Sequence, residues 1–308
     1  MHNIQGLISA AFTPFHSNGS INYDHIPLQV EQLTQGGVVG TLVGGSTGEG
    51  YSLSIQERKK LTEVWSHHCP DQFYLFAHVG HNAIPEAKSL AQQAHELGVA
   101  GIIVSAPMYF KPSCVEDLVA FCTAIVEEIE GTPVYYYHIP SLSGVSFSMR
   151  RFMELASESI PDFRGIKYTY EDLDEVRQCM QYRPEQYEII FGRDEILLDA
   201  LQLGITGAMG STYNYMAPLF NQIISLFKAG NIPQAAALQQ EARNIIDVLV
   251  AYGGGIVAGK ALMEILGMGC GPLRLPLGNL NTQQMKDMEA AFMKTNLMQY
   301  VNNQPIEK

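Results

Sequence analysis

Phe163-Arg164-Gly165-Ile166-Lys167 is a short apolar run that ends on a lone lysine, and its recurrence decides the fold. Comparable β-branched or aromatic runs return at Gly6 to Phe12, Val38 to Val43, Phe73 to Val79, Gly101 to Ser105, Val134 to Ile139, Tyr187 to Phe191 and Ile205 to Met209. Together these are strand candidates in the number a (β/α)8 barrel needs. Between them Ser54 to His68, Ile84 to Leu97, Val115 to Ile129 and Asp172 to Tyr182 carry helical spacing, several opening on a capping residue. Strand and helix thus alternate with a repeat of roughly 30 residues, as parallel sheet covered by helices requires. A doubly wound sheet would place a glycine-rich pyrophosphate turn after the first strand, but the chain continues there as Thr13-Pro14-Phe15. The expectation is a single-domain TIM barrel, α/β in class, over 1–230. Leu219 to Phe227 reads as the last barrel helix, and a C-terminal helical extension over 231–308 follows, with helices at Ile232 to Tyr252, Ala258 to Leu266 and Thr282 to Met298.

Composition narrows the partners. At 308 residues, with 46% apolar and 16% charged side chains, the chain can bury a large core, and its net charge of -12 leaves no basic stripe for nucleic acid or an anionic membrane. A small-molecule partner is expected. Cys69, Cys114, Cys122, Cys179 and Cys270 are scattered without a Cys-x-x-Cys pair, which suits free thiols in a reducing cytosol and neither disulfides nor structural zinc. The N-terminal residues lack a signal-peptide pattern, and Val99 to Phe110 is too short and interrupted to span a bilayer, so a cytoplasmic protein is expected.

In such a barrel the active site lies where strands end. Three strand ends carry chemistry: Lys167, the run Gly44-Gly45-Ser46-Thr47-Gly48-Glu49-Gly50, and Tyr137-His138-Ile139-Pro140. An ordinary lysine is neutral only about one time in a thousand at neutral pH, so an amine nucleophile needs desolvation or cationic neighbours. The plainer alternative is a lysine snorkelling from a strand end. The glycine run lacks the Gly-Lys-Ser/Thr of a nucleotide loop. Its free backbone N–H groups beside Ser46 and Thr47 instead suit a small carboxylate, against the alternative of a simple tight turn. Tyr137, alternatively a core residue with a polar tip, is placed for proton transfer beside an amine nucleophile, a pairing that suggests Schiff-base chemistry on a carbonyl. His78 and His81 have the spacing His-x-x-His, but two nitrogens do not make a metal site, and no metal is expected.

These segments, with Gly210-Ser211-Thr212-Tyr213-Asn214, occur in an order and spacing that resembles the N-acetylneuraminate lyase and dihydrodipicolinate synthase family of pyruvate-dependent class I aldolases, over nearly the whole chain. The resemblance implies that Lys167 forms the Schiff base, Tyr137 is the acid/base, and Ser46 with Thr47 holds the pyruvate carboxylate. It implies that Tyr109 is lent to a neighbouring subunit's site in a homotetramer. Synthases of the family carry an arginine where this chain has Leu142, so the charge-assisted contact to a second carboxylate is missing.

The sialic acid lyase branch fits better. It assigns the polyol chain of the sugar to Thr169, Gly192, Asp194, Glu195 and Ser211, whose short polar groups suit hydroxyls. Helix capping is the alternative reading of Asp194. Leu42 and His138 depart from the better-known bacterial members and resemble the animal type. The implied reaction is reversible cleavage of sialic acid (N-acetylneuraminate) to N-acetylmannosamine and pyruvate. No cofactor is expected, because an iminium is itself an electron sink. The alternatives are an aldolase or synthase for another 2-keto acid, a metal-dependent aldolase, and a non-catalytic carboxylate sensor on the same barrel.

Overall fold

Side chains of a strand alternate between its two faces, so a continuously apolar strand is one buried on both. The computed structural model, which describes residues 3–302, shows both faces at work. Strands β1 (Gly6–Ala10), β2 (Gly40–Val43), β3 (Tyr74–His78), β4 (Gly101–Ser105), β5 (Val134–His138), β6 (Phe163–Tyr168), β7 (Glu188–Phe191) and β8 (Gly207–Gly210) pair in parallel in chain order. β8 returns to β1 and closes the barrel. The fold is therefore the TIM barrel expected. Inside, Ile8, Leu42, Phe76, Ile103, Ile190 and Met209 fill the lumen. Outside, a larger core including Ile102, Val104, Ile166 and Tyr168 packs under the helices. On β6, Ile166 and Tyr168 face that outer core, which turns Lys167 inward.

The register of β5 against β6 shifts at Val134/Tyr135, and beyond the shift Tyr137 stands opposite Lys167 and His138 opposite Tyr168. One irregularity therefore aligns the two side chains that carry most of the expected chemistry.

Several helices open as their sequences suggest. Ser54 accepts from Glu57 N in a capping box, and Asp172 accepts from Glu175 N. Three helices longer than a single turn were not anticipated: Ile26–Gln35, Met149–Ser159 and Leu197–Gln202. The first buries Gln29, whose amide donates to Phe12 O, so polar residues interrupt its apolar stripe. The third has six residues, too few to show a period. At the C-terminal end, the helix expected to reach Met298 spans Thr282–Phe292. Thr295 stops it by donating to Phe292 O and accepting from Leu297 N.

The helices Ile232–Ala251 and Gly254–Ile265 lie over the barrel's C-terminal mouth. Gln239 clamps the turn after β7, donating to Asp194 O and Glu195 O and accepting from Leu198 N. Among the described residues no single helix is long and apolar enough to cross a membrane; this pair is bent by 98° at its break.

Candidate active site

At the C-terminal ends of the strands a cavity of about 260 Å³ opens into the barrel. It gathers Ser46 and Thr47 from the loop after β2, Tyr137 from β5, Lys167 and Thr169 from β6 and its exit, Gly192 to Glu195 after β7, and Ser211 after β8. Lys167 is 3% exposed and does not snorkel, which removes the plainer reading of this residue. Its Nζ lies 4.0 Å from the centroid of the Tyr137 ring. Tyr137 is itself buried. A buried amine held against a phenol can reach a ligand carbonyl with a proton donor alongside.

The loop after β2 is shaped by backbone and braced from below. A Cβ on Gly50 would lie 1.8 Å from Gly44 O, so only glycine lets the loop close on itself. Among the described residues the backbone N–H groups of Ser46 and Thr47 find no protein acceptor. That leaves them open to an anion beside two hydroxyls. Glu49 adopts a left-handed conformation with φ 54°, a strain on the order of 1 kcal/mol that its contacts must hold. They do: its Oε1 is 2.7 Å from Lys260 Nζ, and its Oε2 accepts from Arg274 N at 2.8 Å. Lys260 also donates to Thr13 O, and burial pulls its pKa down against the upward pull of Glu49. Both charges are fully enclosed, so this ion pair belongs to the scaffold.

The cavity wall from the loops after β7 and β8 is polar. Asp194 is buried and does not cap a helix: its Oδ2 accepts from Thr212 Oγ1 at 2.7 Å and Thr212 N at 3.3 Å, across from β7 to β8. Gly210 leaves it room, since a Cβ there would meet Asp194 Oδ1 at 1.9 Å. Burial raises the Asp194 pKa to about 6, the neighbouring Glu195 adds to this, and the Thr212 bonds oppose it. Thr169 Oγ1 is buried without a hydrogen-bond partner, whereas the Asp194 carboxylate also has the buried Tyr213 hydroxyl close by. Buried polar atoms are nearly always satisfied, so Thr169 Oγ1 marks a position for a ligand's hydroxyl or for water.

Two kinds of wall residue escaped the sequence reading. Arg193 lines the cavity, with Nη2 2.7 Å from Glu171 and 3.6 Å from Glu195. Its only signal was its place inside the Gly192 to Glu195 run. Ile246, Leu249 and Ile256 come from the C-terminal helices and look like any apolar helix residues in the sequence. Tyr109, by contrast, is outside the cavity of its own chain and 78% exposed, its ring in edge contact with exposed Phe110. His78 is occupied by other partners: Nε2 is 3.0 Å from Ser105 Oγ and Nδ1 3.1 Å from Gly44 O. Among the described residues no group of three or more His, Cys, Asp or Glu gathers as a metal site would.

A TIM barrel with an enclosed amine at the end of its sixth strand defines a class of carbon–carbon lyases. The chain belongs to the dihydrodipicolinate synthetase family, whose model matches residues 3–295. Within it the chain is 36% identical over 301 residues to the N-acetylneuraminate lyase of Rattus norvegicus, covering 96% of this chain and 94% of the relative. It is likewise 36% identical over 303 residues to that of Homo sapiens, covering 97% and 95%. Among solved structures, the N-acetylneuraminate lyase of Proteus mirabilis superposes with a TM-score of 0.92 at 38% identity, covering 96% of this chain and all of the other. The sialic acid aldolase of Aliivibrio salmonicida matches with a TM-score of 0.92 at 35% identity, covering 96% and 98%.

Proposed function

We propose that this lyase cleaves N-acetylneuraminate reversibly to N-acetyl-D-mannosamine and pyruvate, with Lys167 as the covalent residue. The observation that carries this is the cavity's lining: Lys167, 4.0 Å from the Tyr137 ring, shares one cavity with the hydroxyls of Ser46 and Thr47 and with Thr169, Asp194, Glu195 and Ser211. A 2-oxo acid with a long polyol tail brings a carbonyl, a carboxylate and hydroxyls to match such a lining.

Lys167 Nζ adds to the keto carbon C2 and water leaves, giving a protonated imine. The C3–C4 bond then breaks, its electron pair moving toward the iminium to form an enamine. Tyr137 takes the proton from the C4 hydroxyl as its own passes toward Ser46 and the substrate carboxylate, and N-acetylmannosamine departs as the aldehyde. Protonation of the enamine at C3 and hydrolysis of the imine release pyruvate and restore the amine. Thr169, Gly192, Asp194, Glu195 and Ser211 orient the polyol; Leu142, apolar and half-exposed on the wall, offers no cation for a second carboxylate. The same reading places the enzyme in the cytoplasm as a homotetramer, with Tyr109 completing a neighbour's site.

The test is borohydride reduction in the presence of pyruvate, followed by peptide mapping. A pyruvyl increment on the peptide holding Lys167 is expected, together with release of N-acetylmannosamine from N-acetylneuraminate, and neither in Lys167→Ala. No increment in the wild type would overturn the covalent mechanism; an increment without sialic acid cleavage would move the substrate to another 2-oxo acid.

A further inference from the structure

Arg58 is 2% exposed on the helix Ile55–His68, yet among the described residues no carboxylate pairs with it. A buried guanidinium without a counter-ion is costly and uncommon. Its Nη1 donates to Gly80 O at 2.9 Å and its Nη2 to His78 O at 2.6 Å, while Nε has no partner. The charge therefore meets only neutral acceptors.

Its place is directly beneath the loop after β2. A Cβ added to Gly44 would lie 3.9 Å from Arg58 Nε, and His78 Nδ1 sits between the two, 3.2 Å from Arg58 Nη2 and 3.1 Å from Gly44 O, hydrogen-bonding to one or the other according to its tautomer. That ring is uncharged: burial first, then the charges of Arg58 and Lys167, push the His78 pKa well below its ordinary value. Burial lowers the Arg58 pKa only to about 10, so it stays cationic at neutral pH. Above the loop, Ser46 and Thr47 offer hydroxyls and amides but no charge.

We propose that Arg58 is a second counter-charge of the substrate carboxylate, acting without touching it: a fixed positive charge under the Gly44 turn that adds to the charge on the Lys167 nitrogen at a loop whose own groups are neutral. The proposal rests on the carboxylate lying at Ser46 and Thr47. It explains why the guanidinium is left unpaired, since its partner arrives with the ligand. In a water-poor interior such a charge is weakly screened and acts over several ångströms.

The experiment compares pyruvate with its neutral methyl ester. Half-saturating concentrations for borohydride trapping on Lys167 are measured in the wild type, Arg58→Gln and Arg58→Lys. In Arg58→Gln the value for pyruvate should rise about tenfold or more while that for methyl pyruvate stays within about twofold. Arg58→Lys, which keeps the charge but not the fork, should recover most of the loss. Should Arg58→Gln not fold, Arg58→Met, of similar length, makes the same comparison. Equal shifts for acid and ester, or a lysine variant as poor as the neutral one, would show that Arg58 only braces the turn and would overturn the proposal. An absence of any wild-type adduct would be a different failure, removing the covalent mechanism and this inference with it.

Discussion

Tyr137 and Lys167 face each other across β5 and β6, so the lysine's approach to a carbonyl and the phenol's approach to a hydroxyl are fixed by one register. Removing only the phenolic oxygen separates these roles. Tyr137→Phe keeps the ring under Lys167 Nζ and should slow sialic acid turnover by roughly 10² or more while pyruvate remains trappable on Lys167; wild-type turnover in a steady-state assay would remove Tyr137 from proton transfer. Next along the strand, His138 points the other way, into a cluster of Tyr136, Tyr168 and Tyr170, with both ring nitrogens buried and unpartnered. Burial lowers its pKa to about 4 from an ordinary 6.5. The unfolded chain therefore binds a proton that the folded chain refuses, so stability is full above pH 6.5 and falls as pH drops toward 4, by on the order of 2–3 kcal/mol. His138→Phe should remove that part of the acid slope in urea titrations; an unchanged slope would mean that the ring protonates freely in the fold. Lys167, Tyr137 and Ser46 were singled out in advance as polar groups at the ends of apolar strands, where packing alone gives them no reason to stand, while Asp194 was reached only through the family resemblance. Arg193 was illegible because a charged residue beside Asp194 and Glu195 reads as part of a solvated turn.

At the scale of elements, the strands announced themselves through continuous apolarity. The helix Ile26–Gln35 hid because glutamines occupy its buried face. The sequence also held no sign that the helix Gly254–Ile265 reaches back across more than two hundred positions to hold the loop after β2, through Lys260 and Glu49. Long-range ion pairs leave no local pattern. The pair makes a direct prediction: Lys260→Met strands a buried carboxylate and should cost about 3–5 kcal/mol in chemical denaturation. Adding Glu49→Gln removes the stranded charge and should return part of that loss. If the double variant were as unstable as the sum of the singles, the two would be uncoupled and the loop would be held by its other contacts. Because the loop carries Ser46 and Thr47, the single variant should also weaken pyruvate capture.

For the whole molecule, the unsettled element is Tyr109. It projects from the loop after β4 beside Phe110, 78% and 84% exposed, and stays out of its own chain's cavity. Two adjacent aromatic rings in water are an unusual use of apolar surface, and burial against a second copy would account for them. If the tyrosine completes the partner's site, each subunit is chemically incomplete alone, and defects in different subunits should complement. Tyr109→Phe leaves Lys167 intact, and Lys167→Ala leaves Tyr109 intact, so each variant is expected to be nearly inactive as a uniform oligomer. In mixed oligomers, the site of a Tyr109→Phe subunit receives a normal tyrosine from its Lys167→Ala neighbour. Random reassembly of equal amounts should then restore about a quarter of wild-type activity, the share of sites expected to be whole in reciprocal pairs. Recovery in the sialic acid cleavage assay after mixing and reassociation is the readout, with unmixed variants as the baseline. If Tyr109 served its own cavity, every site in the mixture would still lack either the tyrosine hydroxyl or the lysine, and mixing would restore nothing.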